Sequence, residues 1–288
     1  MAVRLLGIDI DGTLLDSRGE VPLRNCRAVR AAADLGVRIV VITGRSFAFA
    51  APIAARLGVP LVLIASNGAV VKTIDGLTLA STPLPVDLAR AVVDATSAYR
   101  GDLGVVFDVA DGSRVIYERI DWTHPRRRAY FERNRDVITE VRPVDGAIDR
   151  DPLAMVFNAS MAPMRRLRDL LLAAPFAPRI DVSITEYETR DFAMVDVLAR
   201  GCTKATTLEA WGARLAIGPA EIMAIGDNHN DLDMLTLVGT PVVMGNAVQA
   251  LRERGWPVTG TNDDAGVADA IERFVLGPAA ARAPRASG

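Results

Sequence analysis

Cysteine and histidine are scarce in this chain, with two of each among 288 residues. Cys26 and Cys202 lie far apart in unrelated contexts. A disulfide framework is excluded by count, and either thiol reads as an ordinary buried side chain. No run approaches the roughly 20 apolar residues needed to span a bilayer. The opening residues, Met1 to Asp9, are not expected to act as a signal peptide, because their apolar run is short and Asp9 ends it. An excess of one charge is also missing: 33 basic residues face 35 acidic ones, a net charge of −2. That balance gives no electrostatic case for nucleic acid or an anionic membrane as partner. No Gly-x-Gly-x-x-Gly follows the first apolar run, which disfavours nicotinamide binding. No internal repeat is present. The expectation is a soluble, cytoplasmic protein.

Half of the residues are apolar, enough for one large or two modest cores. The first 80 residues alternate strand and helix. Arg4 to Ile8 is an almost continuous apolar run, the pattern of a parallel strand buried on both faces. Val21 to Leu35 reads as a helix, with Pro22 in its first turn, Leu23, Cys26 and Val29 at three-residue spacing, and Gly36 just past its end. Val37–Ile42 and Leu61–Ala65 read as further buried strands. Val70 to Leu79 reads as a hairpin turning at Asp75-Gly76. The alternation returns with helix Lys204–Trp211, strand Glu221–Ile225, helix Leu232–Leu237, strand Pro241–Met244 and helix Ala265–Phe274. This predicts an α/β fold, a Rossmann-like parallel sheet sandwiched by helices.

Between these halves the pattern changes. Ser81-Thr82-Pro83-Leu84-Pro85 is a stiff connection. The stretch from there to about Ala199 mixes helices with alternating strands such as Val105–Val109 and Phe192–Val197. The predicted organisation is a catalytic core of residues 1–82 and 200–276, an inserted α+β cap of residues 83–199, and a disordered tail of residues 277–288.

Four segments carry chemistry. Asp9-Ile10-Asp11-Gly12-Thr13 follows the first strand. Two carboxylates one residue apart leave the strand end on the same side, Gly12 allows a sharp turn, and the amides beyond it can meet a phosphate. Thr43-Gly44-Arg45 follows the second strand and offers a hydroxyl and an amide suited to phosphate oxygens; a simple helix cap is the other reading. Lys204 opens a helix, either as a solvated charge or as a fixed cation facing phosphate and carboxylate. Gly226-Asp227-Asn228-His229-Asn230-Asp231 follows a strand. Its acids and amides suit a hard, oxygen-seeking cation such as magnesium, although a capping turn would use the same residues. His229 reads as a variable loop position. All four segments fall at the carboxyl edge of one parallel sheet, where α/β folds bind their ligands.

The order Asp-x-Asp-Gly-Thr, Thr-Gly-Arg, Lys and Gly-Asp-x-x-Asn-Asp resembles the haloacid dehalogenase superfamily. The large insertion resembles its Cof-type branch, as do Ser66-Asn67-Gly68-Ala69, Met244-Gly245-Asn246-Ala247 and the ending Asn262-Asp263-Asp264-Ala265-Gly266-Val267. Thr203 departs from the family, where an acid or serine more often precedes the lysine. The resemblance implies a magnesium-dependent phosphatase acting on a small, sugar phosphate-like metabolite. In that reading Asp9 attacks phosphorus and becomes an aspartyl phosphate, while Asp11 protonates the leaving alcohol and then activates water. Magnesium would be held by Asp9, the backbone carbonyl of Asp11 and Asp227, with Asp231 orienting its ligands. Thr43, Gly44, Lys204 and Asn230 would hold phosphoryl oxygens. In the cap, His124, Arg126, Arg127, Arg128, Tyr187, Glu188 and Arg190 are candidates to touch substrate, and the arginine run also reads as a solvated helix face. A phosphomutase would need the same four motifs. A purely binding module would gain nothing from a nucleophile beside a general acid.

Overall fold

A computed structural model of the chain describes residues 2–110, 112–123, 128–188 and 191–277. In chain order its elements begin with β1 (Leu5–Asp9), α1 (Leu23–Asp34), β2 (Arg38–Ile42), α2 (Phe47–Ala55), β3 (Leu61–Ala65), β4 (Val70–Thr73) and β5 (Thr78–Ser81). There follow α3 (Val86–Ala95), β6 (Leu103–Val109), β7 (Gly112–Tyr117), α4 (Arg128–Arg133), β8 (Ile138–Glu140), β9 (Ala154–Ala159), α5 (Met161–Ala173), β10 (Ile180–Tyr187) and β11 (Phe192–Ala199). The chain closes with α6 (Lys204–Arg214), β12 (Ile222–Gly226), α7 (Leu232–Leu237), β13 (Thr240–Val243), α8 (Gln249–Arg252) and α9 (Gly266–Ile271). Among the described residues no helix is long and apolar enough to cross a membrane.

The larger sheet has the order β13-β12-β1-β2-β3-β4-β5. Strands β13, β12, β1 and β2 are mutually parallel, with Leu5 opposite Ile222 on one side and Arg38 on the other. β1 and β12 are buried at every position. That is the physical basis of their unbroken apolar runs: helices cover both faces of a parallel sheet, leaving no polar side to alternate with. The smaller sheet has the order β10-β11-β9-β6-β7-β8, antiparallel except where β7 runs parallel to β8.

By compactness the chain divides into two units. One holds residues up to Thr43, Ala51–Leu63 and the residues from Lys204 onward; the other holds Gly44–Ala50 and Ile64–Thr203. The first unit contains the parallel strands. The second has a core in which alternate residues of β6 (Leu103, Val105, Phe107), β9 (Met155, Phe157) and β11 (Ala193, Val195, Val197) meet one face of α3 and α5. Leu88, Val92 and Val93 of α3, with Met164, Leu167 and Leu171 of α5, supply the helix stripes, at the spacing expected for one buried face. The β4–β5 hairpin groups with this second unit. Its Lys72 is buried and donates to the carbonyls of Gly76, Val109 and Gly112 at 3.0–3.3 Å. Its Nζ also lies 2.6 Å from Asp108 Oδ1.

Two local expectations change. Cys26 and Val29 of α1 are buried, but Leu23 is exposed, because the inward face is completed by Asn25, Ala28 and Ala32. The last helix narrows to Gly266–Ile271 and continues as one wider turn, Glu272–Leu276. Residues 278–288, in the tail read as disordered, lie outside the described residues, as do His124, Arg126, Arg127 and Arg190 of the cap. Arg128 pairs with Glu132 one turn away, 2.8 Å apart on an exposed helix face, as the solvated-face reading expects.

Candidate active site

Asp9 is the last residue of β1 and Asp227 directly follows β12, the parallel neighbour of β1. Adjacent parallel strands therefore deliver both carboxylates to the same sheet edge. Lys204 opens α6 with only 2 % of its surface exposed. Its ammonium lies 2.6 Å from Asp9 Oδ1 and 2.7 Å from Asp231 Oδ1. Of the two readings of Lys204, solvated charge and fixed cation, its burial matches the second.

The loop after β12 is closed by its own acid. Asp231 Oδ2 accepts the backbone N–H groups of Asp227 (3.0 Å) and Asn228 (3.1 Å), and Asp231 immediately precedes α7. It thus acts as the loop's internal cap and as a lysine partner at once. Both of its oxygens are engaged by protein donors. Asp227 is held differently: Thr13 Oγ1 donates to its Oδ1 at 3.0 Å. Sequence reading gave Thr13 no role of its own, although it belongs to the first motif.

Between Asp9 and Thr13 the chain makes a single wide turn, Ile10–Leu14, in which Asp11 is extended and Gly12 has φ +80°. A Cβ at Gly12 would sit 2.7 Å from Asp227 Cγ and closer still to Oδ2. Only glycine both adopts that φ without strain and leaves room for the carboxylate. At Gly226, likewise, a Cβ would lie 2.6 Å from Asp231 Cγ. The carboxylates are packed against backbone that has been cleared of side chains.

Carboxylate oxygens of Asp9, Asp227 and Asp231 all lie within 4.8 Å of one another, and all three residues are buried. Three buried carboxylates face one ammonium, so negative charge is undercompensated. Burial, then Asp231 and Asp11, push the Asp9 carboxyl up to about 8 against the opposing pull of Lys204. Burial, then Asp9 and Asp231, raise Asp227 well above the usual carboxylate range. Burial pulls Lys204 down, but Asp231 and Asp9 more than offset it and hold the ammonium charged. An all-oxygen donor set with surplus negative charge, in a cradle that a single Cβ would fill, fits a hard divalent cation.

The other residues picked out by sequence are placed as follows. Asp11 is half-buried on the Ile10–Leu14 turn. Thr43 is buried immediately beyond β2, whose Ile42 lies opposite Asp9 in the sheet register. Asn230 is half-buried and His229 exposed, in the turn before α7. Gly44 falls in the second unit, where the Asn67 side chain lies 3.1 Å from where its Cβ would be. Asn67 is buried, has φ +51°, and donates to the buried Asp196 at 3.0 Å. Asp196 was not singled out by sequence; nothing near it in the chain marks it. Tyr187 stacks near Phe192, with ring centres 6.1 Å apart. Cys202 is buried, and burial with Asp181 nearby pushes its thiol up to about 12, so it is no nucleophile at neutral pH.

Comparison with known proteins places the chain in a family. Residues 6–271 match the family model described as haloacid dehalogenase-like hydrolase. An HMP-PP phosphatase of Serratia proteamaculans is 30 % identical over 255 residues, covering 86 % of each chain. A phosphoglycolate phosphatase of Methanothermobacter thermautotrophicus is 25 % identical, covering 95 % of this chain and 99 % of the other. Among solved structures, a haloacid dehalogenase-like hydrolase from B. subtilis superposes with a TM-score of 0.79 at 22 % identity, covering 95 % of this chain and all of that one. The motif order, the paired sheets and the match across almost the whole described chain lead to one assignment: the protein belongs to the haloacid dehalogenase-like hydrolase family, in the Cof-type branch its motifs resemble.

Proposed function

We propose that the protein is a magnesium-dependent phosphatase that hydrolyses a small phosphorylated metabolite through an aspartyl phosphate on Asp9. The observation that carries this reading is the buried Asp9, fixed at a strand end by Lys204 at 2.6 Å inside a cluster of three carboxylates. A carboxylate meant only for structure gains little from such a setting, where like charges crowd it. A nucleophile that must meet an anionic phosphate gains a great deal, because the same setting collects the positive charge the reaction requires.

Asp9, the backbone carbonyl of Asp11 and Asp227 would hold magnesium, and Asp231 would keep Lys204 and the loop amides in place around them. When bound, magnesium supplies charge neutralisation between the phosphoryl oxygens and the carboxylates. Asp9 attacks phosphorus and the ester bond to the leaving oxygen breaks. Asp11 gives its proton to that oxygen, then takes one from the water that cleaves the acyl phosphate. Lys204 stays charged throughout and, with Thr43, Gly44 and Asn230, holds phosphoryl oxygens. We assign residues 1–82 and 200–276 to the catalytic core and residues 83–199 to a cap that sets substrate choice.

The Serratia and Methanothermobacter relatives are named for different substrates, so family membership does not select one. The test is a panel of phosphate esters assayed with magnesium, sugar phosphates first, with nucleotides and flavin and pyridoxal phosphates beside them. Hydrolysis abolished by Asp9→Asn supports the reading. Hydrolysis that survives Asp9→Asn removes it.

A further inference from the structure

Two of the sequence segments noted above, Met244-Gly245-Asn246-Ala247 and the stretch from Asn262 to Val267, have no part in the chemistry just described. The structure joins them. After α8 the chain runs beside β13: Val243 N donates to Pro257 O and Thr259 N to Val243 O, both at 2.9 Å, and Gly245 N donates to Gly260 O at 3.0 Å. Val243 and Val258 form a parallel bridge. The segment then turns back, closed by Gly266 N donating to Thr261 O at 2.9 Å and by Thr261 Oγ1 donating to Asp264 at 2.7 Å. This path carries Asn262 to Asn246.

From there both asparagines reach the turn that follows Asp9. Asn246 Nδ2 donates to Gly12 O at 2.7 Å, and Asn262 N donates to Asn246 Oδ1 at 2.9 Å. Asn262 Nδ2 donates to Leu15 O at 2.8 Å, and Ser17 N donates to Asp263 Oδ1 at 2.8 Å. One segment, more than 230 positions away in sequence, thus grips three backbone groups of the Gly12–Ser17 stretch. Asn246 has an exposed side chain, of a kind that ordinarily moves freely between rotamers. Here its amide nitrogen and its oxygen are both committed.

What lies between the pinned points matters. Asp9 is fixed upstream by the β1 ladder, and Gly12 O is fixed downstream by Asn246. The direction of Asp11 is set by the peptides on either side of it; Gly12 O belongs to the next peptide, Gly12–Thr13, so pinning it limits where the Asp11 carboxyl can point through the Gly12 backbone. We propose that Asn246 and Asn262 form a positioning relay that holds the Asp11–Gly12 turn in register for proton transfer to the leaving group. The proposal rests on reading Asp11 as the general acid. Neither asparagine touches substrate in this scheme; both act through the turn.

The test uses the full chain with magnesium, an alkyl (sugar) phosphate and p-nitrophenyl phosphate. A nitrophenolate leaves without an acid, so loss of acid positioning slows the alkyl ester selectively. Asn246→Ala is expected to lower kcat for the alkyl ester roughly tenfold or more, since small misplacements of a catalytic group are costly. The aryl ester should change less than about threefold, and KM for the alkyl ester should move little. In the Asp11→Asn background, Asn246→Ala should add no further slowing, because two residues acting through one group are not additive. Asn246→Asp, which removes the donor to Gly12 O and keeps the acceptor for Asn262 N, provides the same test if Asn246→Ala does not fold. Equal slowing of both esters, or an additive double variant, overturns the relay. If Asp11→Asn itself shows no preference between esters, the general-acid reading fails first and the relay falls with it; selectivity in Asp11→Asn without selectivity in Asn246→Ala removes the relay alone.

Discussion

Replacing Lys204 with methionine keeps most of the length and apolar stem of the side chain and removes one buried positive charge. In the native site that charge sits 2.6 Å from Asp9 and 2.7 Å from Asp231. At an effective dielectric of about 20, each contact is worth roughly 6 kcal/mol before the cost of burial is subtracted. Stripping water from the ammonium consumes much of this, and breaking a buried pair from one side typically leaves a net loss of about 3–5 kcal/mol. For a chain of this size that corresponds to roughly 6–10 °C in melting temperature. The loss should depend on pH in a definite direction. Without Lys204 the crowded carboxylates relieve their repulsion by taking up protons, which is easy in acid and costly in base. Melting curves in chelator should therefore show a larger deficit near about pH 9, above the Asp9 titration at about 8, than near about pH 6. A deficit below about 1 kcal/mol, or one equal at both pH values, would contradict the picture of Lys204 as the counter-charge of this cluster.

Other expectations follow from the same geometry. Because burial and its acidic neighbours raise Asp9 from 3.8 to about 8, the metal-free native state holds a proton that the unfolded chain releases. That contribution to stability is full below about pH 4 and is lost as pH rises toward 8. Magnesium competes with the same protons, so its stabilisation in a thermal melt should grow between about pH 5.5 and pH 8; a shift that is flat or falls with pH refutes this. Chelation should abolish turnover and magnesium restore it, with calcium a poor substitute because its larger, looser shell misplaces the nucleophile; full activity in excess chelator sinks the metal. Gly12→Ala places a Cβ against the Asp227 carboxylate at a positive φ and should weaken magnesium binding by roughly tenfold or more, measured by titration calorimetry. Unchanged affinity would mean the cradle is not the metal's.

The parallel strands were legible in the sequence because burial on both faces leaves an uninterrupted apolar run, and β3 is observed as Leu61–Ala65, the span expected for it. The β4–β5 hairpin was legible for a local reason too, the Asp75-Gly76 turn between its strands. Helix α2 is not legible: Phe47–Ala55 is apolar almost all round, so no polar face gives a period, and Pro52 argues against a helix despite its alanines. β10 is not picked out either, although Ile180, Val182 and Ile184 alternate with polar residues along it. At the site, the carboxylates were legible because they cluster in short motifs at strand ends. The burial of Lys204 was not, because a lysine opening a helix has the same local sequence whether it faces water or two aspartates. The pairing of Asn246 with Gly12 was likewise invisible, since it depends on how the chain beyond α8 lies along β13.

The most direct measurement is the chemical fate of Asp9 during turnover. Asp11→Asn, mixed with p-nitrophenyl phosphate and magnesium and quenched rapidly in acid, should accumulate protein whose Asp9 peptide carries one phosphoryl group by mass spectrometry. The first step needs little acid with this ester, while the second still needs a base to activate water. Asp9→Asn under the same conditions should trap nothing and turn over nothing. An Asp9 peptide that stays unmodified while ester is still hydrolysed, or a phosphoryl group found on another residue, would contradict the mechanism at its first step.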